Sequence, residues 1–272
     1  MDPKDNTTSD HVPTLADVAR HAGVSTATVS RCLNSPDRVV EATRNRVMAA
    51  VRELGYSPNF SARALAAKRT NTIGAIIPTM DNAIFARGLQ AFQEELGKSG
   101  ITLLVASSSY RPDLEEEQIR TLVARGADGL LLIGHHRNPE IYEFLDRRGV
   151  PVLVSWAFNT DEEKISIGFD NRAAMQELAA QVIGLGHNRI GVISAALVNN
   201  DRARERVAGV RAAMNAAGLD PRKLELVETE YSIENGKAAF RRLMTAKQHP
   251  TAVVCGNDVL AIGALQMAHE MG

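Results

Sequence analysis

Residues 25–31, STATVSR, hold the groups in this 272-residue chain whose types and spacing are most suited to chemistry. Ser25 has the side chain of a helix N-cap, Thr26 and Ala27 would open the helix, and Thr28, Ser30 and Arg31 follow within two turns. Short side chains let a backbone come close and offer methyl groups to thymine, while a guanidinium can grip guanine with two hydrogen bonds. The hydroxyls of Ser25 and Thr28 at a helix N-terminus suit phosphate oxygens. Together these are the groups of a helix that reads the major groove of duplex DNA; an ordinary helical hairpin is the competing reading. A second set, Asp81, Phe85, Trp156, Phe158 and Asp170, follows apolar runs that read as strands. Acidic side chains fork onto vicinal hydroxyls and rings cover the apolar face of a sugar, so this set points to a polyhydroxylated ligand. Asp170 would equally cap the helix beginning near Asn171, and an aromatic residue after a strand packs in a core as readily.

Elements must hold these groups in place. Thr14 with Asp17 three residues on makes a capping pair, and Leu15, Val18, Ala19 and Ala22 follow on one helical face. This helix runs to about His21; Gly23 can take the left-handed backbone that stops it, and Val24 can plug between helices. A second helix runs from Ser25 through Leu33, and a third from Glu41 to Leu54 stops at Gly55. Residues 1–12 read as a disordered tail and 13–58 as a helix-turn-helix headpiece. Residues 59–70 form an alanine-rich linker, in which Leu65 is the one aliphatic side chain larger than alanine. An isolated helix this short is marginal in water, so it should form only when bound.

From Thr72 the texture changes. Strands are expected at 72–78, 101–106, 129–133, 151–154, 189–194 and 251–255, with helices such as 85–98, 115–125, 171–185, 203–217 and 258–271 between them. This alternation reads as an α/β fold of doubly wound parallel sheets, with ligand groups in the loops at the carboxyl ends of the strands.

Charge supports the division. Residues 11–70 carry nine Lys/Arg against four Asp/Glu, whereas residues 71–272 carry 21 against 25. The positive end is the candidate polyanion-binding end. No run approaches the roughly 18 apolar residues of a membrane span. The polar amino terminus lacks a secretory signal, and Cys32 and Cys255 are far apart without metal-ligand spacing, so a cytoplasmic protein with reduced thiols is expected. His135 and His136 are adjacent rather than at metal spacing, LGKSG at 96–100 lacks the upstream glycine of a phosphate loop, and nothing resembles a catalytic constellation. No cofactor, metal or enzymatic activity is expected.

The run TLADVARHAGVSTATVSRCLN, followed by VVEATRNRVMAAVRELGYSPNFSARALAAKRT, resembles the headpiece and hinge of the LacI/GalR family of transcriptional regulators without a gap over residues 14–69. The resemblance implies an allosterically controlled repressor, a homodimer or higher assembly on a pseudo-palindromic operator. Thr26, Ala27 and Arg31 would read bases, while Thr14, Ser25, Thr28, Ser30 and Asn34 would complete the headpiece contact. In the hinge, Asn59, Ala62, Leu65 and Ala66 would meet DNA, with Leu65 wedged into the central step from the minor groove. The core resembles a periplasmic sugar-binding protein of two subdomains, 71–169 and 170–272, with a sugar or sugar acid between them. RARERVAG is similar to the family's effector-contacting arginine segment and points to Arg206; GND points in the same way to Asn257 and Asp258, either of which would also serve as a helix cap. A family core beginning near residue 71 would run on past Gly272, so the sequence reads as C-terminally truncated, with an incomplete second subdomain.

Overall fold

In the computed structural model, which describes residues 12–57, 69–158 and 164–272, Thr14 and Asp17 start the first helix by capping each other. The Thr14 hydroxyl accepts the Asp17 N–H at 3.3 Å, and the Asp17 carboxylate accepts the Thr14 N–H at 2.9 Å. α1 (Leu15–Ala22) ends at Gly23, whose φ of 62° is left-handed. α2 (Thr26–Asn34) starts from Ser25, and after a short 3₁₀ turn α3 (Glu41–Leu54) ends at Gly55. Their shared core is Val18, Ala19, Ala22, Val29, Cys32, Val47 and Ala50, with Val24 packed against it from the turn.

The chain separates into two units, Met1–Thr70 and Asn71–Gly272. The second contains two parallel sheets. In the first, β1 (Thr72–Ile77), β2 (Thr102–Ser107), β3 (Gly129–Ile133), β4 (Val152–Ser155) and the two-residue β5 (Ser166–Ile167) lie in the order β2-β1-β3-β4-β5. In the second, β6 (Ile190–Ser194) lies between β7 (Glu225–Glu228) and β8 (Ala252–Cys255).

Side-chain alternation along each strand sends apolar groups to both faces, which is why these runs are apolar throughout. In the first sheet Ile76, Leu130 and Leu132 meet α5 (Pro112–Ala124) and α6 (Pro139–Arg148), while Ala75, Ile77, Leu131 and Ile133 meet α4 (Ala83–Lys98). In the second, Ile190, Val192 and Val254 face α7 (Asn171–Gly184) and α8 (Asp201–Ala216). Ile193 and Val227 face α9 (Ile233–Met244) and α10 (Asp258–Met271).

Expected and observed elements differ by up to three residues at their ends. β5, β7, α6 and α9 escape the apolar-run reading because they are short or rich in charge: ELVE and PEIYEFLDRR expose acidic and basic positions beside few apolar ones. Among the described residues no helix is long and apolar enough to cross a membrane.

Glycine sets the spacing of the helix pairs. A β-carbon on Gly209 of α8 would collide with the backbone carbonyl of Arg172 and lie 2.9 Å from the Gln176 nitrogen, both on α7; Gly236 and Gly263 pack α9 against α10 in the same manner. Gly209→Ala is therefore expected to cost about 1–3 kcal/mol of stability by overpacking. Gly184→Ala, with nothing within 4 Å of the new methyl, should be neutral or stabilise by up to about 1 kcal/mol. Thermal unfolding of both variants checks this; equal midpoints would rule out the close-packing account.

Candidate nucleic-acid interface and ligand cleft

The amino end of α2 is built by Ser25. Its hydroxyl accepts the Thr28 N–H at 3.2 Å and lies 2.9 Å from the Thr28 hydroxyl, which fixes both side chains at the helix opening. Val29 and Cys32 turn into the core, leaving Ser25, Thr26, Ala27, Arg31 and Asn34 exposed on the other face. Thr28 and Ser30 are half-buried, and Ser30 accepts the Asn34 amide at 3.2 Å. Among the described residues Arg31 forms no ion pair, so its guanidinium is available for an external acceptor. Thr14 is exposed at the start of α1, committed to its capping box. His21 and Glu53, 2.7 Å apart, tie α1 to α3. Asn59, Ala62, Leu65 and Ala66 lie outside the described residues.

In the second unit the carboxyl ends of the two sheets meet. The connection after β3 is held on one side by Arg137, whose side chain is 2% exposed. It donates to the carbonyls of Ile133 at 3.0 Å and Gly134 at 2.7 Å and pairs with Glu115 at 3.0 Å, while the Tyr142 hydroxyl donates to the His135 carbonyl. On the other side Asp201, at the start of α8, accepts the N–H groups of His135 at 2.5 Å and His136 at 3.2 Å through one oxygen. Its other oxygen takes Arg202 at 2.9 Å, and Arg202 reaches across to the Ile133 carbonyl at 3.1 Å. A side chain at Gly134, where φ is 73°, would collide with both Arg202 and the Asp201 carboxylate. Burial raises the Asp201 pKa, but Arg202 and the N–H groups outweigh it and hold the carboxyl below its ordinary range.

Beside this clamp runs a chain of polar groups. Arg206, one turn beyond Arg202 on α8, donates to the Asn171 carbonyl oxygen at 2.7 Å and to the Tyr231 hydroxyl at 3.1 Å. The Tyr231 ring stands 5.5 Å from that of Tyr110. Asn171 is itself fixed by donating to the Trp156 carbonyl at 3.1 Å. Ser109, Tyr110, Trp156 and Asn199, all in loops following strands, adopt left-handed backbone at positions without glycine, and such strain gathers where a site needs a fixed shape. A cavity of about 950 Å³ adjoins the clamp, with Phe158, Asp170, Asn171, Asp201 and Arg202 in its wall; a second of about 440 Å³ includes Ser108, Tyr110 and Arg202.

The expected ligand residues divide. Arg206 joins the polar chain, and Asp170 and the half-exposed Phe158 line the larger cavity. Asp170 also caps α7, accepting the Arg172 and Ala173 N–H groups at 2.9 Å, so its two readings hold together. Phe85 packs in the core. It is 5% exposed and edge-on to Trp156 because its position on α4 faces Ala75 and Ile77. Trp156 is half-buried with its ring over Gly88. Asn257 caps α10 through the Leu260 N–H, Asp258 accepts its neighbour's N–H, and Asp81 is exposed in the loop after β1. None of these last three lines either cavity. The reading from sequence misses Tyr110, Asn171, Asp201, Arg202 and Tyr231. Arg202 had a signal, four residues before Arg206 in RARERVAG, and Asn171 adjoins Asp170 in GFDN; the two tyrosines had none.

Comparison with known proteins covers both units. Residues 14–59 match the model of bacterial regulatory proteins of the lacI family, and residues 70–272 match that of periplasmic binding proteins and the sugar binding domain of the LacI family. Catabolite control protein A of Priestia megaterium is 30% identical over 259 residues, covering 95% of this chain and 78% of that protein. The HTH-type transcriptional repressor PurR of Yersinia pestis (strain Pestoides F) is 34% identical over 262 residues, covering 95% and 76%. The solved lac repressor dimer bound to operator and the anti-inducer ONPF superposes with a TM-score of 0.82 at 26% identity, over 96% of this chain and 79% of that one. A family model over residues 70–272, a second over the three-helix headpiece, and relatives of 30% and 34% identity place the chain in the LacI family of bacterial transcriptional regulators.

Proposed function

We propose that this chain acts in the cytoplasm, without catalysis, as a homodimeric or larger repressor on a pseudo-palindromic operator, its affinity set by a small sugar-like effector in the core cleft. The exposed, capped amino end of α2, within a segment spanned by the family's DNA-binding model, is the observation that carries this reading. Thr26, Ala27 and Arg31 are assigned to base edges, and Ser25 and Thr28 to phosphate. Thr14, Ser30 and Asn34 support the headpiece contact, and hinge residues Asn59, Ala62, Leu65 and Ala66 are assigned to the minor groove. The relative solved as a dimer on operator with an anti-inducer supports the assembly and the two ligands together.

Control follows from the clamp. Asp201 and Arg202 join loops of opposite sheets, so a ligand lying beside them changes the free energy of closure, and any difference in closure between DNA-bound and free states couples the two sites. Asp170 and Phe158, in the wall of the larger cavity, are the effector contacts with most geometric support, and Arg206, held by Asn171 and Tyr231, is assigned from the family segment.

Selection from a randomised DNA pool tests the reading: an enriched palindrome is expected, and its absence would refute it. Arg31→Ala should weaken operator binding by about 1–3 kcal/mol and relax preference at one base pair of each half-site, measured by fluorescence anisotropy on single-base operator variants. Leu65→Ala should weaken operator binding with no change in the thermal midpoint of the core; a changed midpoint would show that Leu65 packs within the protein instead. Asp201→Asn removes the charge that pairs with Arg202, so the operator affinity of this variant should become insensitive to effector while headpiece helicity is retained.

A further inference from the structure

We infer that Glu115 and Arg137 are positioning residues of the switch, which set how readily the clamp between the two sheets closes by acting through the backbone of residues 133–136. This rests on the proposed control of operator affinity through the clamp and adds the groups that regulate it.

One carbonyl is shared by the two sides of the clamp. The Ile133 oxygen accepts from Arg137 at 3.0 Å and from Arg202, on α8, at 3.1 Å. Around it every backbone polar group from that carbonyl to the His136 N–H has a partner. The Gly134 N–H donates to the Ser155 carbonyl at 3.0 Å, and the Gly134 and His135 carbonyls accept from Arg137 and the Tyr142 hydroxyl. The His135 and His136 N–H groups donate to Asp201. Opening the clamp breaks the contacts of Asp201 and Arg202 and leaves those of Arg137, Tyr142 and Ser155 in place. Arg137 therefore holds the loop in the shape that Asp201 needs whether the clamp is open or closed, so closing orders little backbone.

Arg137 does this only while it is itself fixed, and that depends on Glu115. The Arg137 side chain is 2% exposed and that of Glu115 17%, in contact at 3.0 Å. One guanidinium nitrogen serves the Gly134 carbonyl and the Tyr142 hydroxyl, and the other serves Glu115 and the Ile133 carbonyl. A planar fork meets these four acceptors at fixed angles, which the point charge of an ammonium does not reproduce. Among the described residues Glu115 is the one carboxylate paired with Arg137; Asp170 and Glu205, in the wall of the larger cavity, form no ion pair with it. Burial pulls the Arg137 pKa down, but Glu115 and then Tyr142 outweigh it and hold the group above its ordinary range, whereas at Arg202 burial outweighs Asp201. Arg137 is thus the anchored cation of the clamp and Arg202 the less firmly held one. Without the Glu115 charge, a buried cation loses its partner in the closed arrangement. Arg137 lies in the wall of both cavities, so water entering an opened cleft relieves that cost and the balance moves toward opening.

The test is amide hydrogen exchange on the full chain, resolved to single residues, with no ligand added. The His135 and His136 amides are bonded across the clamp, while the Gly134 amide, held by Ser155, is a control in the same loop. A fall in overall stability speeds all three alike, so the ratio of His135 and His136 exchange to Gly134 exchange reports the clamp. Asp201→Asn should raise this ratio directly. Glu115→Gln, at a residue that touches neither amide, should raise it about tenfold or more, and Arg137→Lys should do the same although the charge is kept. On the palindrome enriched from the DNA pool, Glu115→Gln should shift operator affinity in the same direction as Asp201→Asn, and the double variant should shift it by less than the sum, since both act on one contact. A ratio unmoved by Glu115→Gln and Arg137→Lys but raised by Asp201→Asn would overturn the positioning role and leave the sensor intact. Exchange that rises alike at all three amides would show general loosening and overturn it too. A raised ratio with operator affinity unmoved in every variant would uphold the positioning role and refute the proposed control through the clamp.

Discussion

The carboxylate of Asp201 joins the two halves of the core, since its oxygens bridge the backbone N–H groups of one sheet's loop and a guanidinium rooted in the other's helix. Everything around it serves to keep that contact possible. Gly134 must be glycine because a side chain would occupy the space of the carboxylate, and Arg137 and Tyr142 hold the carbonyls of residues 133–135 so that the adjoining N–H groups point outward. The parallel topology makes the contact available in the first place. Parallel strands place all their carboxyl-end loops on one edge, and two such edges brought together form a polar cleft between otherwise apolar sheets.

The same contact explains how a small molecule can exert control. A buried ion pair adds little net stability once its desolvation is counted, yet breaking one partner is expensive. Such a pair is therefore suited to defining one arrangement against another. Arg202 is paired with Asp201 within this arrangement, whereas Arg206 is held by the neutral Asn171 and Tyr231.

The headpiece meets a different constraint. Among the described residues none of the seven buried side chains at its centre is larger than valine, so little apolar area supports the fold and the caps matter in proportion. Thr14 with Asp17, Ser25 with Thr28, and the left-handed Gly23 and Gly55 fix both ends of α1, the start of α2 and the end of α3. That precision leaves Thr26, Ala27 and Arg31 free of structural duty and turned outward, which is the condition for reading another molecule.

The sequence by itself determined what depends on neighbours along the chain. Helix limits in the headpiece followed from hydroxyl caps and glycine stops, and the strands buried on both faces announced themselves as unbroken apolar runs, because both effects act within a few residues. Asp170 as a helix cap was legible for the same reason. Tertiary structure decided what depends on meeting across the fold. Tyr110 and Tyr231 lie more than a hundred residues apart and acquire meaning only where two sheets bring them within ring contact. Phe85, a candidate ligand platform, packs in the core because of the direction of α4, and Asp201, which the sequence reading passed over, gains its contacts where the loop after β3 comes against it. A periodic pattern states which face of an element is apolar; which other element supplies the facing donor, acid or ring is fixed by long-range packing, and that is where the cleft acquired its chemistry.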